Sequence, residues 1–449
     1  MTDSSLKSSV IGVLILILLG IIASSFYAAA AAHSLSAAIQ SSRSKKQVTL
    51  TAILVEPRPR WDMLLKNAMH KLQGRHPDMD IKIKYTVLPY DISRRSILNY
   101  LGNRSSVDLV SVDQIWLGDF AERGYLTDLT DRAQSWGRLS DWYQSNLDGT
   151  IYKGKIYGIW AWTDVRGIWY WKDLLNKAGV DPNLLKTWAG YIESAKKLNE
   201  SLKTQNIQGI GLDCGASLWY PYLWMLGGEI IKMKGGHPTK GTYWFPAFNS
   251  SAGVKAMQFL KDQVRAGLKP ISNGNFDTRS FVNRTYAVFL GGSWVPEEFH
   301  SNQTIDITQK VGFLPMFPVP KEGVQTTTVM GGWELSIPQS SKNKDLAWEL
   351  TTLMLEPDVL APMLEKTGYL PTQTSIGQGP FLTTLNHTIP YFDKMLSMVQ
   401  SGRGRPNIPE FAQMDDYVTE AGKQVCTSTK DPKQALEDAA KKSAKLLGW

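Results

Sequence analysis

The sequence predicts an α/β protein whose strands alternate with helices from the start of its folded region. Two observations carry this expectation. Between Val48 and Gly124, runs of β-forming residues with period two alternate with stretches whose apolar residues fall at i, i+3, i+4 and i+7. Strands that alternate with helices in this way form a mostly parallel sheet flanked by helices. Length supplies the second: 449 residues exceed one ordinary core, so two or three domains are expected.

Taken in order, residues 48–55 form a first strand ending at Glu56, and Pro57 and Pro59 stiffen the loop that follows. Leu65, Ala68, Met69 and Leu72 share one helix face, closed by Gly74 and Pro77. Residues 80–88 make a second strand and 92–101 a second helix. Residues 107–112 make a third strand ending in Asp113. Trp116, Phe120 and Ala121 lie on the next helix, with Gly124 as its C-cap. Open α/β sheets bind ligands beyond the carboxyl ends of their strands, where Glu56 and Asp113 stand. Asp113 also suits a helix cap before Trp116.

Further along, residues 188–202 read as a helix and 209–213 as a short strand. Trp219, Tyr220, Tyr222 and Trp224 crowd the next helix. Asn249 and Ser250 can cap a helix with Val254, Met257, Leu260 and Val264 on one face. Strands follow at 286–290, 311–314 and 329–337. The first leads into Gly291-Gly292-Ser293-Trp294, and the last holds Gly331-Gly332-Trp333-Glu334. A helix spans 344–355, and Asp431, Pro432 and Gln434 open a final one that ends at Leu447.

The densest chemistry lies in residues 151–175. Trp160, Trp162, Trp169 and Trp171 stand there with Tyr152, Tyr157 and Tyr170 around one carboxylate, Asp164. Lys153-Gly154-Lys155 is a hairpin-like break between two alternating runs. Trp169 and Trp171 flank a strand and read equally well as core. Trp162 and Asp164 sit where the alternation breaks. An exposed ring beside a carboxylate suits a sugar, because the ring covers the C–H face while the carboxylate accepts from hydroxyls.

Composition narrows the function classes. Hydrophobic residues make up 43% and charged residues 20%, as in a globular protein. The net charge of +8 is spread along the chain, without the basic stripe that nucleic acid binding requires. There is no P-loop, no G-x-S-x-G and no metal-ligand spacing among His33, His70, His76, His237, His300 and His387. No cofactor or metal is expected.

Export is the expected fate. Lys7, an apolar run over residues 10–23 and small residues up to Ala32 make 1–32 a secretion signal or, if retained, a membrane anchor. Residues 33–47 read as a linker. No cysteine lies nearby for a bacterial lipoprotein anchor. N-x-S/T acceptors occur at Asn103, Asn199, Asn249, Asn283, Asn302 and Asn386, which suits a glycosylated outer surface. Cys214 and Cys426 could pair outside the cell or stay as two buried thiols.

An ordered set of short pieces then points to a family. They are Asp113-x-x-Trp116 with Phe120-Ala121-x-x-Gly124, Tyr152-x-Gly154-Lys155-x-Tyr157-Gly158 with Trp162-Thr163-Asp164, Tyr170-x-Lys172-Asp173-Leu174-Leu175, Gly292-x-Trp294 and Gly331-Gly332-Trp333. In these the chain resembles the extracellular solute-binding proteins of carbohydrate ABC transporters, nearest the trehalose/maltose-binding group. The resemblance covers about 48–447. It implies two α/β lobes, each discontinuous, with a hinge between them: lobe one at 48–158 plus 314–355, and lobe two at 159–313 plus 356–449. It also implies ligand contacts at Glu56, Asp113, Gly332 and Trp333 from lobe one. Lobe two would supply Trp162, Asp164, Trp294 and Arg405, with Arg403 competing with Arg405.

The resemblance implies a receptor outside the cytoplasm, tethered by its N-terminal segment or released after cleavage. It would capture a di- or oligosaccharide and pass it to ABC permease subunits without turning it over. The alternatives are a surface glycosidase and a binder of another polar solute such as a peptide. A glycosidase would draw on Glu56, Asp113, Asp164 and Glu334. If Asp164 and Trp333 line a cleft, their replacement is expected to weaken binding with little effect on unfolding.

Overall fold

The computed structural model describes residues 45–55, 57–235, 243–271, 277–302 and 306–449. The expected leader at 1–32, most of the linker, and Glu56 lie outside the described residues. The chain divides into two compact units. The described part of the smaller comprises 45–49 and Gln73–Lys82. Within it the Gln73 amide donates to the carbonyls of His76 and Met79 at 3.0 and 2.7 Å and accepts from Ile81 N–H at 3.0 Å. The larger comprises Leu50–Leu72 and Ile83–Trp449 and holds every residue of the site described below.

The chain begins with β1 (Lys46–Val55), α1 (Arg58–Arg75), β2 (Met79–Leu88), α2 (Tyr90–Gly102) and β3 (Leu109–Asp113). The helix α1 starts earlier than its apolar face suggested, because Pro59 fits a first turn whose N–H groups lack helical partners anyway. A tight hairpin joins β4 (Ile151–Tyr152) to β5 (Lys155–Ile156), with Lys153 and Gly154 both at positive φ. Next come β6 (Ile159–Asp164) and β7 (Arg166–Trp171), separated only by Val165.

Beyond these lie β8 (Gln208–Gly211), α3 (Ala216–Met225), the hairpin of β9 (Ile231–Met233) with β10 (Trp244–Pro246), and α4 (Ser251–Arg265). Ser250 caps α4 by accepting from Gly253 N–H at 3.3 Å. Then follow β11 (Tyr286–Gly292), α5 (Val295–Asn302), β12 (Val311–Leu314), β13 (Thr328–Val329), β14 (Gly331–Ser336), β15 (Leu370–Pro371) and β16 (Gly402–Arg403). The expected helix after β14 is present at Lys344–Met354. Two long helices close the chain, α6 (Phe411–Cys426) and α7 (Pro432–Leu447); Asp431 caps α7 by accepting from Lys433 N–H at 3.0 Å.

Two principal sheets organise the larger unit. The first runs β15-β6-β14-β3-β1-β2 and the second β12-β7-β11-β8. The α/β class holds, but the pairing is mixed. β1 with β3 and β8 with β11 are parallel, whereas β14 lies antiparallel to β3 and β6, and β7 antiparallel to β11 and β12. The antiparallel strands are those that flank the crossings between sheets. The chain leaves the first sheet at Asp164, enters the second at Arg166, and returns after Leu314 to β14.

That topology moves two pieces of the expected lobe boundaries. Ile159–Asp164 and Leu370–Pro371, assigned from the sequence to lobe two, belong to the first sheet. β6 is buried along its whole length and sits between β14 and β15, so it is a central strand with no face free for a second lobe. Trp169 and Trp171 are core, packed on Phe313 and Phe281 at ring distances of 4.5 and 5.8 Å. On the second-sheet side α6 packs on α3, α4 and α7. A disulfide ties Cys214, in the loop between β8 and α3, to Cys426 at the end of α6. The pairing that the sequence left open is therefore made.

Candidate functional site

β3 ends on Asp113, and its carboxylate serves both roles the sequence allowed. Oδ1 accepts from Ile115 N–H at 3.3 Å as a cap and from the Arg405 guanidinium at 3.5 Å. Oδ2 accepts from the Tyr90 hydroxyl at 2.9 Å. Of the two candidate arginines, Arg405 is the one on this carboxylate. Arg403 instead pairs with Glu229 at 2.8 Å, lies over Trp224 at 4.8 Å, and lines a second cavity of about 700 Å³ with Tyr152 and Lys153, which Arg405 also borders.

Asp164 sits at the crossing between sheets and is paired with the Arg166 guanidinium, which also donates to Val329 O at 3.2 Å. Burial pushes the Asp164 carboxyl up, against the pull of Arg166 and Arg405. Burial likewise presses the Arg166 guanidinium down from its ordinary value, against the pull of Asp164. Each charge is therefore held by its partner rather than by water.

The rings come from the ends of β11 and β14. Trp294 follows the glycines that end β11. Its indole N–H donates to Thr278 Oγ1 at 3.1 Å, and its ring lies under Arg166 at 5.1 Å and beside Tyr369 at 6.2 Å. Trp333 meets Tyr90 and Trp116 edge-on at 6.1 and 5.9 Å. Before it, Gly332 has φ +151°, and a Cβ there would stand 2.0 Å from Trp160 Nε1 and 2.3 Å from Trp162 O. Only glycine lets the backbone run this close to the tryptophan strand.

These groups share one cavity of about 900 Å³, lined by Asp113, Asp164, Trp294, Gly332, Trp333 and Arg405 among others. Six of the eight expected contacts thus come together. Glu56 is outside the described residues. Trp162 is the correction. Its ring is fully buried, packed on Trp61 at 5.1 Å and Tyr369 at 6.3 Å, with the Arg60 guanidinium over it at 5.7 Å. The break in alternation that suggested exposure reflects the crossing to the second sheet. Glu334 lies away from this wall, fully buried, its carboxyl oxygens without a hydrogen-bond partner among the described residues, and burial pushes its carboxyl well up.

Several lining residues escaped the sequence reading: Arg60, Tyr90, Arg166, Tyr369 and Asp415. Arg60 pairs with Glu297 of α5 at 3.5 Å. Tyr90, directly after Pro89 at the start of α2, carried a weak signal, and Arg166 lay inside the aromatic stretch. Asp415 sits on an amphipathic helix with no motif at all. Among the described residues no cluster of His, Cys, Asp and Glu is placed to hold a metal.

Two mixed sheets joined at crossings, with a cavity built from both and lined by rings and charged groups, define a two-lobed ligand-binding protein. Comparison with known proteins agrees. The bacterial extracellular solute-binding protein family matches residues 61–361, and the chain belongs to it. That family consists of binding proteins rather than enzymes and acts outside the cytoplasm. The arabinooligosaccharide-binding protein of Bacillus subtilis (strain 168) is 23% identical over 384 residues, covering 82% of this chain and 85% of the relative. A protein of Sinorhizobium fredii (strain NBRC 101917 / NGR234), named as a probable amino-acid ABC transporter periplasmic-binding protein, is 24% identical over 379 residues, covering 80% and 81%. Among solved structures, the GacH receptor of Streptomyces glaucescens, seen unliganded and with acarbose, superposes with a TM-score of 0.74. It is 24% identical, and the match covers 89% of this chain and 98% of the receptor. At that identity the likeness speaks for the fold.

Proposed function

We propose that this protein captures a di- or short oligosaccharide in the cavity between its two sheets and delivers it to the membrane permease of an ABC transporter. The observation that carries the reading is the cavity's make-up. Two flat rings, Trp294 and Trp333, stand with the planar charged groups of Asp113 and Arg405, contributed from both sides. Rings cover the apolar faces of a sugar and planar groups take its hydroxyls in pairs. Contacts split between lobes also favour the closed state when solute is present, since only closure gains both sets. The oligosaccharide-binding relative supports the same class.

One observation favours a second reading. The charge pairs Asp113–Arg405 and Asp164–Arg166 would suit a zwitterion, and one relative is named for amino-acid transport. A calorimetric panel of mono-, di- and trisaccharides alongside amino acids separates the two. The sugar reading requires saturable binding of at least one saccharide, returned intact after a day. Binding of amino acids alone would replace it.

Attachment and modification complete the proposal. Residues 1–32 direct export and either tether the protein or are cleaved; among the described residues no helix is long and apolar enough to cross a membrane. Asn103, Asn249, Asn283 and Asn386 are exposed acceptors for glycan. Asn199 is a poor one, because its amide accepts from Gly209 N–H at 2.8 Å and donates to Gly267 O at 3.2 Å. Mass lost on enzymatic deglycosylation and N-terminal sequencing of mature protein test these points.

A further inference from the structure

The second-sheet side of the cavity carries a carboxylate that belongs to none of the motifs above. Asp415, in the second turn of α6, lines the cavity and keeps part of its surface open to it. Its Oδ1 accepts from the Tyr220 hydroxyl of α3 at 2.9 Å. Tyr220 is fully buried, packed between Trp219, Trp224 and Phe411 at ring distances of 5.8, 5.9 and 6.3 Å. A buried phenol that cannot move fixes the carboxylate it holds. The Asp415 carboxylate is therefore positioned in the cavity, with the oxygen not held by Tyr220 available to a solute.

The groups around it are Arg405 on the segment before α6, Asp113 at the end of β3, Tyr90 at the start of α2, Tyr220 on α3, and Asp416 on its own helix. Lys423 of α6 and Arg94 of α2 act on Asp416. Burial pushes the Asp415 carboxyl up to about 6, against the pull of Arg405 and the Tyr220 hydrogen bond. Asp416 and Asp113 push it further.

We propose that Asp415 is a solute contact which makes the cavity acid-sensitive: ionised, it accepts from a bound hydroxyl, and protonated, it loses that role and weakens retention. The inference rests on the sugar reading and deepens it. The sign follows from which form binds. The ionised carboxylate is the acceptor, so affinity is full above its titration range and falls as pH drops through about 6. With one proton and one contact, affinity at about pH 5 is about tenfold below that at about pH 7.5. Stability moves the opposite way. A carboxyl raised above its unfolded value costs stability as pH rises through its folded value, so Asp415→Asn keeps or raises the unfolding temperature at neutral pH.

Carbon-13 NMR of the Asp carboxyl carbons tests this, with pH titrations of the free protein and of protein saturated with maltotriose. One resonance should titrate near 6 in the free protein. It should vanish in Asp415→Asn, move up in Tyr220→Phe, and move down when maltotriose is bound. A midpoint in the ordinary carboxylate range, or one that bound maltotriose leaves unmoved, overturns the assignment. Silence of every cavity resonance and of tryptophan fluorescence toward maltotriose, maltose and an arabino-oligosaccharide removes the sugar reading and the contact with it. The free-protein titration still reads separately in that case.

Discussion

The two walls of the cavity are built on different principles. On the first-sheet side, Asp113, Asp164, Gly332 and Trp333 stand at the ends of β3, β6 and β14, and strand register sets their places: Trp333 pairs with Asp113, and Gly331 with Asp164. On the second-sheet side, Trp294 follows β11, while the loop at 213–215, the start of α3 and Asp415 are held by helix packing and one disulfide. A wall set by register is over-determined, because moving one residue moves the whole strand. A wall set by a loop, a helix and a cross-link can be loosened piece by piece.

The largest expected effect lies in the first wall. Asp164→Ala leaves Arg166 buried without its partner, so it should cost about 3–5 kcal/mol of stability as well as solute affinity. Chemical denaturation measures the stability loss. This revises the expectation that Asp164 could be removed with little effect on unfolding; that held for a carboxylate in an open cleft, and Asp164 is 5% exposed. Loss of binding at unchanged stability would show that Arg166 finds another partner and that the wall is less tightly set than its register suggests.

The second wall should respond to its cross-link. Replacing both cysteines, Cys214→Ser with Cys426→Ser, is expected to lower stability by about 2–4 kcal/mol. Because the disulfide ties the loop before α3 to the end of α6, solute affinity should fall with it. Calorimetry of the double variant reads both. Affinity retained at full strength would mean that packing between α3 and α6 alone shapes this wall.

What the sequence made legible follows the same division. Register-set features left local marks: a strand ending in Asp113 and glycines before Trp333; so did the helix caps of α4 and α7, which are local in sequence. Residues held by non-local packing left none. Asp415 and Tyr220 meet across 195 residues of chain, and neither the aromatic helix around Tyr220 nor the surroundings of Asp415 announced that contact. Trp162 failed for a related reason. Its neighbours Trp61 and Tyr369 come from α1 and from the segment before β15, so nothing near it in sequence announced that the ring would be covered. The boundary error at Ile159–Asp164 is the same kind of event, a central strand whose partners arrive late in the chain.

The smallest expected effect sharpens that correction. Trp162→Phe should cost about 1–2 kcal/mol of stability, the scale of shrinking a packed core ring. Solute affinity should stay within about twofold, since the ring does not reach the cavity. Thermal unfolding and a solute titration of the same sample give both numbers. A tenfold loss of affinity would return Trp162 to the site.

The central claim is that one solute is held by both walls at once. Tryptophan fluorescence titration of the best saccharide into the unmodified protein, Trp333→Ala and Trp294→Ala tests it most directly, with one ring removed from each wall. Each variant should bind about tenfold to a hundredfold more weakly, the scale of losing a stacked ring, while remaining folded by circular dichroism. Affinity unchanged in either variant would contradict a solute gripped from both sides.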